Sequence, residues 1–161
     1  MNTSNMVPAI LVGDAPEGKD SKPFGSIVGR RLSELIGVEH VRLREAFQLM
    51  TLLDVRPAGS IAPLWVAQHV GSLLRPRLAG RQVLFYGRAV AAAFGCPPGK
   101  PLTWNAAIYS PGRTEYTYSV LPDFNAHADP IWSAWWNDAT NVFQAVEFLQ
   151  SFAHPRAYVS T

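Results

Sequence analysis

VPAILVGDAPEGKDSKPFGSIVGRRLSELIG, residues 7 to 37, is the stretch that decides the fold. Val7 to Val12 is an apolar run of strand length closed by Gly13. From Ser26 onward, apolar residues recur at helical spacing (Ile27, Val28, Leu32, Leu35 and Ile36) until Gly37 supplies a stop. The segment between them, Asp14 to Gly25, is rich in Gly, Pro, Lys and Asp and is expected to be a loop. Strand, loop and amphipathic helix in that order predict an α/β chain.

Working outward, residues 1 to 6 are polar and are expected to form a frayed tail. Leu43 to Leu53 has the pattern of a helix turning into a second strand, Arg56 to Ser60 that of a loop, and Ala62 to Leu74 has helical spacing. Arg81 to Gly87 is the strongest strand in the chain, and Arg88 to Phe94 after it is Ala-rich and helical. Cys96 to Gly112 is expected to be mostly loop, Thr117 to Leu121 a strand, and Trp132 to Phe152 one terminal helix. Repeated strand-helix units predict a three-layer sandwich, a mostly parallel central sheet flanked by helices. In such a sheet, sites gather at the carboxyl ends of the strands. Gly13-Asp14, Thr51, Gly87 and Pro122 onward are then the places to look. With no repeat, charge block or low-complexity tract, residues 1 to 161 are expected to be a single domain.

The chain's 161 residues, 48% of them hydrophobic and 16% charged, suffice for a substantial core. The single Cys96 excludes an internal disulfide framework and any multi-cysteine zinc or iron-sulfur site. No metal or cofactor is implied. No window reaches the roughly 18 apolar residues of a membrane span, so a soluble, cytoplasmic protein without membrane partners is the expectation. Net charge is only +2, yet 11 of the 14 basic residues are Arg, the side chain suited to bidentate phosphate contacts.

Asp14 stands at a strand end with Phe24 on the same loop; a carboxylate there can orient a water, or cap a turn while Phe24 plugs the core. The stretch VGDAPEGKDSKPFGSIVGRRLSELIGV resembles the opening motif of the uracil-DNA glycosylase superfamily, a Gly-Glu-Ala-Pro-Gly loop leading into Lys-Pro-Phe-Val-Gly and a helix. Glu17 replaces the second Gly of that pattern. The resemblance implies that Asp14 positions the attacking water, that Phe24 stacks on a flipped base, and that Lys22 contacts nucleic acid.

TLLDVRPAGSIAP, Thr51 to Pro63, is similar to the family's Asn-Val-Val-Lys-Cys-Arg-Pro-Pro-Gly stretch, with Arg56, Pro57 and Gly59 in register. Thr51 stands where an Asn usually reads the pyrimidine edge, and Val55 where the iron-sulfur branch has a cysteine. Arg56 is the implied nucleic-acid contact. Arg75 to Gly95 resembles the family's central strand and the helix after it. Near the other end the family carries a His-Pro-Ser or His-Pro-Ala motif, whose His stabilises charge on the departing base. Aligned on Pro122, Asp123 takes the His position, Phe124 the Pro and Asn125 the Ser. His127, four residues beyond Asp123, and Asn125 are the candidate donors in its place, with Asp123 against the base. An aspartate opposes a developing anion unless protonated. IWSAWWNDATNVFQAVEFL resembles the segment after that motif and puts Trp132, with Trp135 and Trp136, near the mouth of the cleft, where aromatics can stack on extruded bases.

These residues lead to the expectation of a divergent glycosylase-type hydrolase acting on DNA. It would cleave the N-glycosidic bond of uracil or a modified pyrimidine after base flipping. The alternatives are a nucleic-acid or nucleotide binder that keeps the fold without catalysis, and a different base or sugar chemistry on the same scaffold. Protein partners, oligomeric state and the base itself are not written in the sequence.

Overall fold

A computed structural model describes residues 7–16, 22–53 and 64–153. The expected tail at residues 1 to 6 and the expected contact Arg56 lie outside the described residues. Five strands form one sheet in the order β2-β1-β3-β5-β4: β1 (Ala9–Gly13), β2 (Phe47–Thr51), β3 (Gln82–Tyr86), β4 (Asn105–Ser110) and β5 (Arg113–Leu121). β1, β2, β3 and β5 run parallel, and β4 pairs antiparallel with β5. The chain is therefore α/β with a mostly parallel sheet.

Side chains alternate across the central strands, so each strand feeds two cores. Ile10, Val12, Val83, Phe85, Tyr118 and Val120 meet on one face. There they are covered by α3 (Leu64–Leu74) and α4 (Arg88–Ala93), which supplies Val90, Ala91 and Ala93. Ala9, Leu11, Leu84, Tyr86 and Leu121 meet on the other face. α1 (Ile27–Ile36) covers them with Leu32 and Ile36, and α6 (Ala139–Ala153) with Ala145 and Leu149. Gly37 closes α1 in the left-handed region, φ 86°, its N–H bonded to the Ser33 carbonyl. The helices α3 and α4 pack so closely that a methyl on Gly71 would lie 2.2 Å from the Ala93 carbonyl oxygen.

Leu43 to Leu53 is a helix turning into a strand, α2 (Leu43–Ala46) running directly into β2. Two other expectations need correction. Cys96 to Gly112 is not simply loop, because β4 lies inside it. That edge strand alternates exposed and covered residues and takes its ladder from β5, a tertiary partner that local pattern does not register. Nor is Trp132 to Phe152 one helix. It is α5 (Pro130–Ser133), a 3-10 turn at Ala134–Asn137, and α6. Asp138 makes the break: its backbone is extended and its Oδ1 accepts the Thr140 N–H, the behaviour of an N-cap.

After β1 the chain moves to β2 on one side, then crosses to β3 on the other side of β1. The carboxyl ends of β1 and β3 thus flank the point where the winding reverses, and crevices in open α/β sheets form there.

Candidate functional site

The ring of Phe24 sits in front of the last residue of β1. A methyl on Gly13 would lie 2.8 Å from Phe24 Cζ, so only glycine at the strand end leaves room for the ring. Phe24 itself has φ 54°, in the left-handed region that side-chain-bearing residues seldom adopt. Three contacts hold it there. Gly25 N–H bonds to the Lys22 carbonyl, His40 Nε2 donates to the Phe24 carbonyl at 2.8 Å, and Gly29 lets the first turn of α1 approach that carbonyl. A methyl on Gly29 would sit 1.8 Å from the Phe24 oxygen. Phe24 is 5% exposed, and burial of such a ring contributes about 2 kcal/mol.

In parallel register Thr51 lies beside Gly13, so the two point to the same face as Phe24. Tyr86, ending β3, shares that face and meets Phe24 edge-on at 6.2 Å between ring centres. Phe24 is therefore flanked by the ends of β2 and β3. Asp14 follows Gly13, is exposed, and accepts the Ala15 N–H on Oδ1 at 2.7 Å, while its carbonyl takes the Leu53 N–H. Thr51 is half-buried and donates its hydroxyl to the Leu53 carbonyl at 2.8 Å. With its one proton engaged, that hydroxyl offers a lone pair only.

Tyr86 was not singled out by its sequence, and it organises the far wall. Its hydroxyl accepts the Phe124 N–H and donates to Asp123 Oδ1, both at 2.9 Å. The same Oδ1 accepts the Asn125 N–H at 2.8 Å. Asp123 Oδ2 hangs beside Gly87, whose φ of 93° and lack of a side chain leave that oxygen uncovered on the side facing β3. The loop carrying Asp123 is fastened elsewhere too. Trp136 Nε1 donates to the Pro122 carbonyl, Arg31 stacks over Phe124 at 4.7 Å, and Arg88 grips Asp129 with two hydrogen bonds of 2.7 Å while lying over Trp132. The Arg88 guanidinium holds the Asp129 carboxyl below the usual carboxylate range.

The structure thus gathers Asp14, Phe24, Thr51 and Asp123 at one end of the sheet, with Lys22 exposed on the same loop as Phe24. Asn125 and His127 are exposed on the loop beyond Asp123, and their side chains make no hydrogen bond to these four among the described residues. Asn125 Oδ1 accepts the His127 N–H in a local turn, and the His127 ring makes no hydrogen bond among the described residues. Trp132 packs against the opposite core under Arg88, and Trp136 is buried. No group of three or more potential ligand side chains capable of holding a metal exists among the described residues. Among them, too, no helix is long and apolar enough to cross a membrane.

Neither a protein-family model nor a curated protein matches this chain. Tyr86 and His40 are the residues that local pattern misses, because their roles depend on partners 37 and 16 positions away.

Proposed function

We propose that this chain is a divergent relative of the uracil-DNA glycosylases that takes a nucleobase into the strand-end site and hydrolyses its N-glycosidic bond. The observation that carries the reading is the joint placement of Phe24 and Asp14 at the end of β1, beside the point where the sheet's winding reverses. A rigidly held, almost fully buried aromatic ring there floors the site, and a carboxylate one residue past the strand can aim a water at the sugar. In the reaction the bond between C1′ and the base nitrogen breaks, and its electron pair leaves with the base. The water oxygen bonds to C1′, and its proton passes to Asp14 and ultimately to the base. DNA bearing a flipped or unpaired nucleotide is the natural ligand class, with Lys22 and Arg56 as phosphate contacts.

The test is release of base from oligonucleotides carrying uracil, other deaminated bases or 5-substituted pyrimidines, single- and double-stranded, scored as abasic sites. Asp14→Ala is expected to lower the rate by about 100-fold or more, and Phe24→Ala to weaken binding. A second reading, a base-binding protein without catalysis, is favoured by the orientation of Asn125, whose side chain serves its own loop. It predicts no abasic sites with any substrate, and binding that survives Asp14→Ala but not Phe24→Ala.

A further inference from the structure

We propose that Asp123 is a specificity-determining residue that selects a nucleobase bearing an amino group over one bearing a carbonyl at the same edge. The inference rests on the reading of the strand-end site as a nucleobase pocket and names the class of base it takes.

Three features carry it. Asp123 Oδ1 is saturated by the Tyr86 hydroxyl and the Asn125 N–H, whereas Oδ2 makes no hydrogen bond among the described residues and lies against the bare backbone of Gly87. The second wall group, Thr51, has committed its proton to the Leu53 carbonyl. Each of these two side chains can therefore accept, and neither can donate. Finally, the Asp123 loop is clamped by Tyr86, Trp136, Arg31 and the Arg88–Asp129 pair, so the carboxylate cannot readily turn away from a mismatched ligand. A carbonyl oxygen brought against Asp123 Oδ2 meets a like partial charge in a partly desolvated site. An amino group there donates a charge-assisted hydrogen bond. Cytosine, adenine and guanine carry such an amino group, and uracil and thymine do not.

Two matched pairs of nucleosides isolate the effect. Cytidine and uridine exchange an amino group for a carbonyl on one ring, and guanosine and inosine differ only by the exocyclic amino group. Binding of all four to the full chain would be measured by titration calorimetry, with wild type, Asp123→Asn and Tyr86→Phe side by side and thermal melts as a check of folding. In wild type the amino-bearing member of at least one pair is expected to bind about tenfold tighter or more. Asp123→Asn keeps an acceptor for Tyr86 and Asn125 while placing a donor at the Oδ2 position, and should bring that ratio close to one or reverse it. Tyr86→Phe, which leaves Oδ1 only the Asn125 N–H and loosens the carboxylate, should shrink the ratio without reversing it, and serves if Asp123→Asn does not fold. Equal binding within both pairs, tighter binding of uridine and inosine, or a ratio untouched by both variants would overturn the selectivity while leaving the pocket standing. If none of the four nucleosides binds folded wild type, the nucleobase reading falls and the selectivity with it.

Discussion

Two tyrosine hydroxyl networks occupy opposite faces of the sheet, and their difference separates structure from site. On the face covered by α3 and α4, Cys96, Tyr116 and Tyr109 form a chain in which each donor has a destination. The thiol can donate to Tyr116 at 3.2 Å, Tyr116 to Tyr109, and Tyr109 to the Phe94 carbonyl at 2.6 Å. Burial pushes the Cys96 thiol up and drives the Tyr109 and Tyr116 hydroxyls well above the ordinary tyrosine range, so all three stay neutral. On the other face, Tyr86 engages one oxygen of a half-buried carboxylate and leaves the second open at a strand end. A polar network that closes on itself stabilises; one that ends in an unused lone pair at a strand end is equipped to bind.

The sharpest break in this contrast is Gly29→Ala. The new methyl cannot coexist with the Phe24 carbonyl, so the loop carrying Phe24 has to move. We expect a loss of about 3 kcal/mol in denaturant unfolding together with loss of base binding, while the Cys96 thiol stays shielded from thiol reagents under native conditions.

Next comes the paired comparison of Tyr116→Phe and Tyr86→Phe. Tyr116→Phe removes the shortest partner of the thiol, leaving it the longer contacts to the Tyr109 hydroxyl and the Phe94 carbonyl, and takes from the Tyr109 hydroxyl its tyrosine donor in the core. It should cost about 2 kcal/mol of stability and leave nucleoside affinity unchanged. Tyr86→Phe should cost about 1 to 2 kcal/mol, because the Phe124 N–H loses its acceptor while Asp123 keeps the Asn125 N–H and can rehydrate, and its distinguishing effect should appear in base selectivity. If the two variants affected stability and binding in the same proportion, the distinction between the networks would collapse.

The smallest effect concerns the clamp on the Asp123 loop. Because Arg88 holds Asp129 below its ordinary value, the unfolded chain takes up this proton first as the pH falls. The pair's contribution, about 1 kcal/mol at this partial exposure, is complete above the ordinary aspartate value of about 4 and is lost as the pH drops through the lowered folded value. The stability gap between wild type and Asp129→Asn, measured by urea unfolding, should therefore be constant from neutral pH down to about 4, narrow as the pH falls from there toward the lowered folded value, and be gone below it.

Much of this architecture is written locally. The apolar runs of β1 and β3, the Gly37 stop and the helix-to-strand passage from Leu43 to Thr51 are legible because backbone preference and burial agree there. β4 escapes because its pairing partner supplies the order. The break at Asp138 escapes because Trp132 to Phe152 keeps a helix-like apolar rhythm on both sides of a cap. Of the candidate site, Asp14 and Phe24 stand out in sequence, being an acid and an aromatic in a loop at a strand end. The acceptor-only character of Thr51 and Asp123 does not, since it depends on where one hydroxyl proton goes and which oxygen is already occupied.

The edge strand β4 has a consequence for how copies of this protein meet. Its pairing with β5 slips between Ala107 and Ile108 and again between Ile108 and Ser110, and Ile108 is exposed at that irregularity. An incoming strand from a second copy would find a sticky side chain but no evenly spaced row of amides and carbonyls to zip onto. The irregularity guards this flank of the sheet against fibre-like growth, and a substitution that straightened the ladder there should be watched for aggregation before any loss of folding.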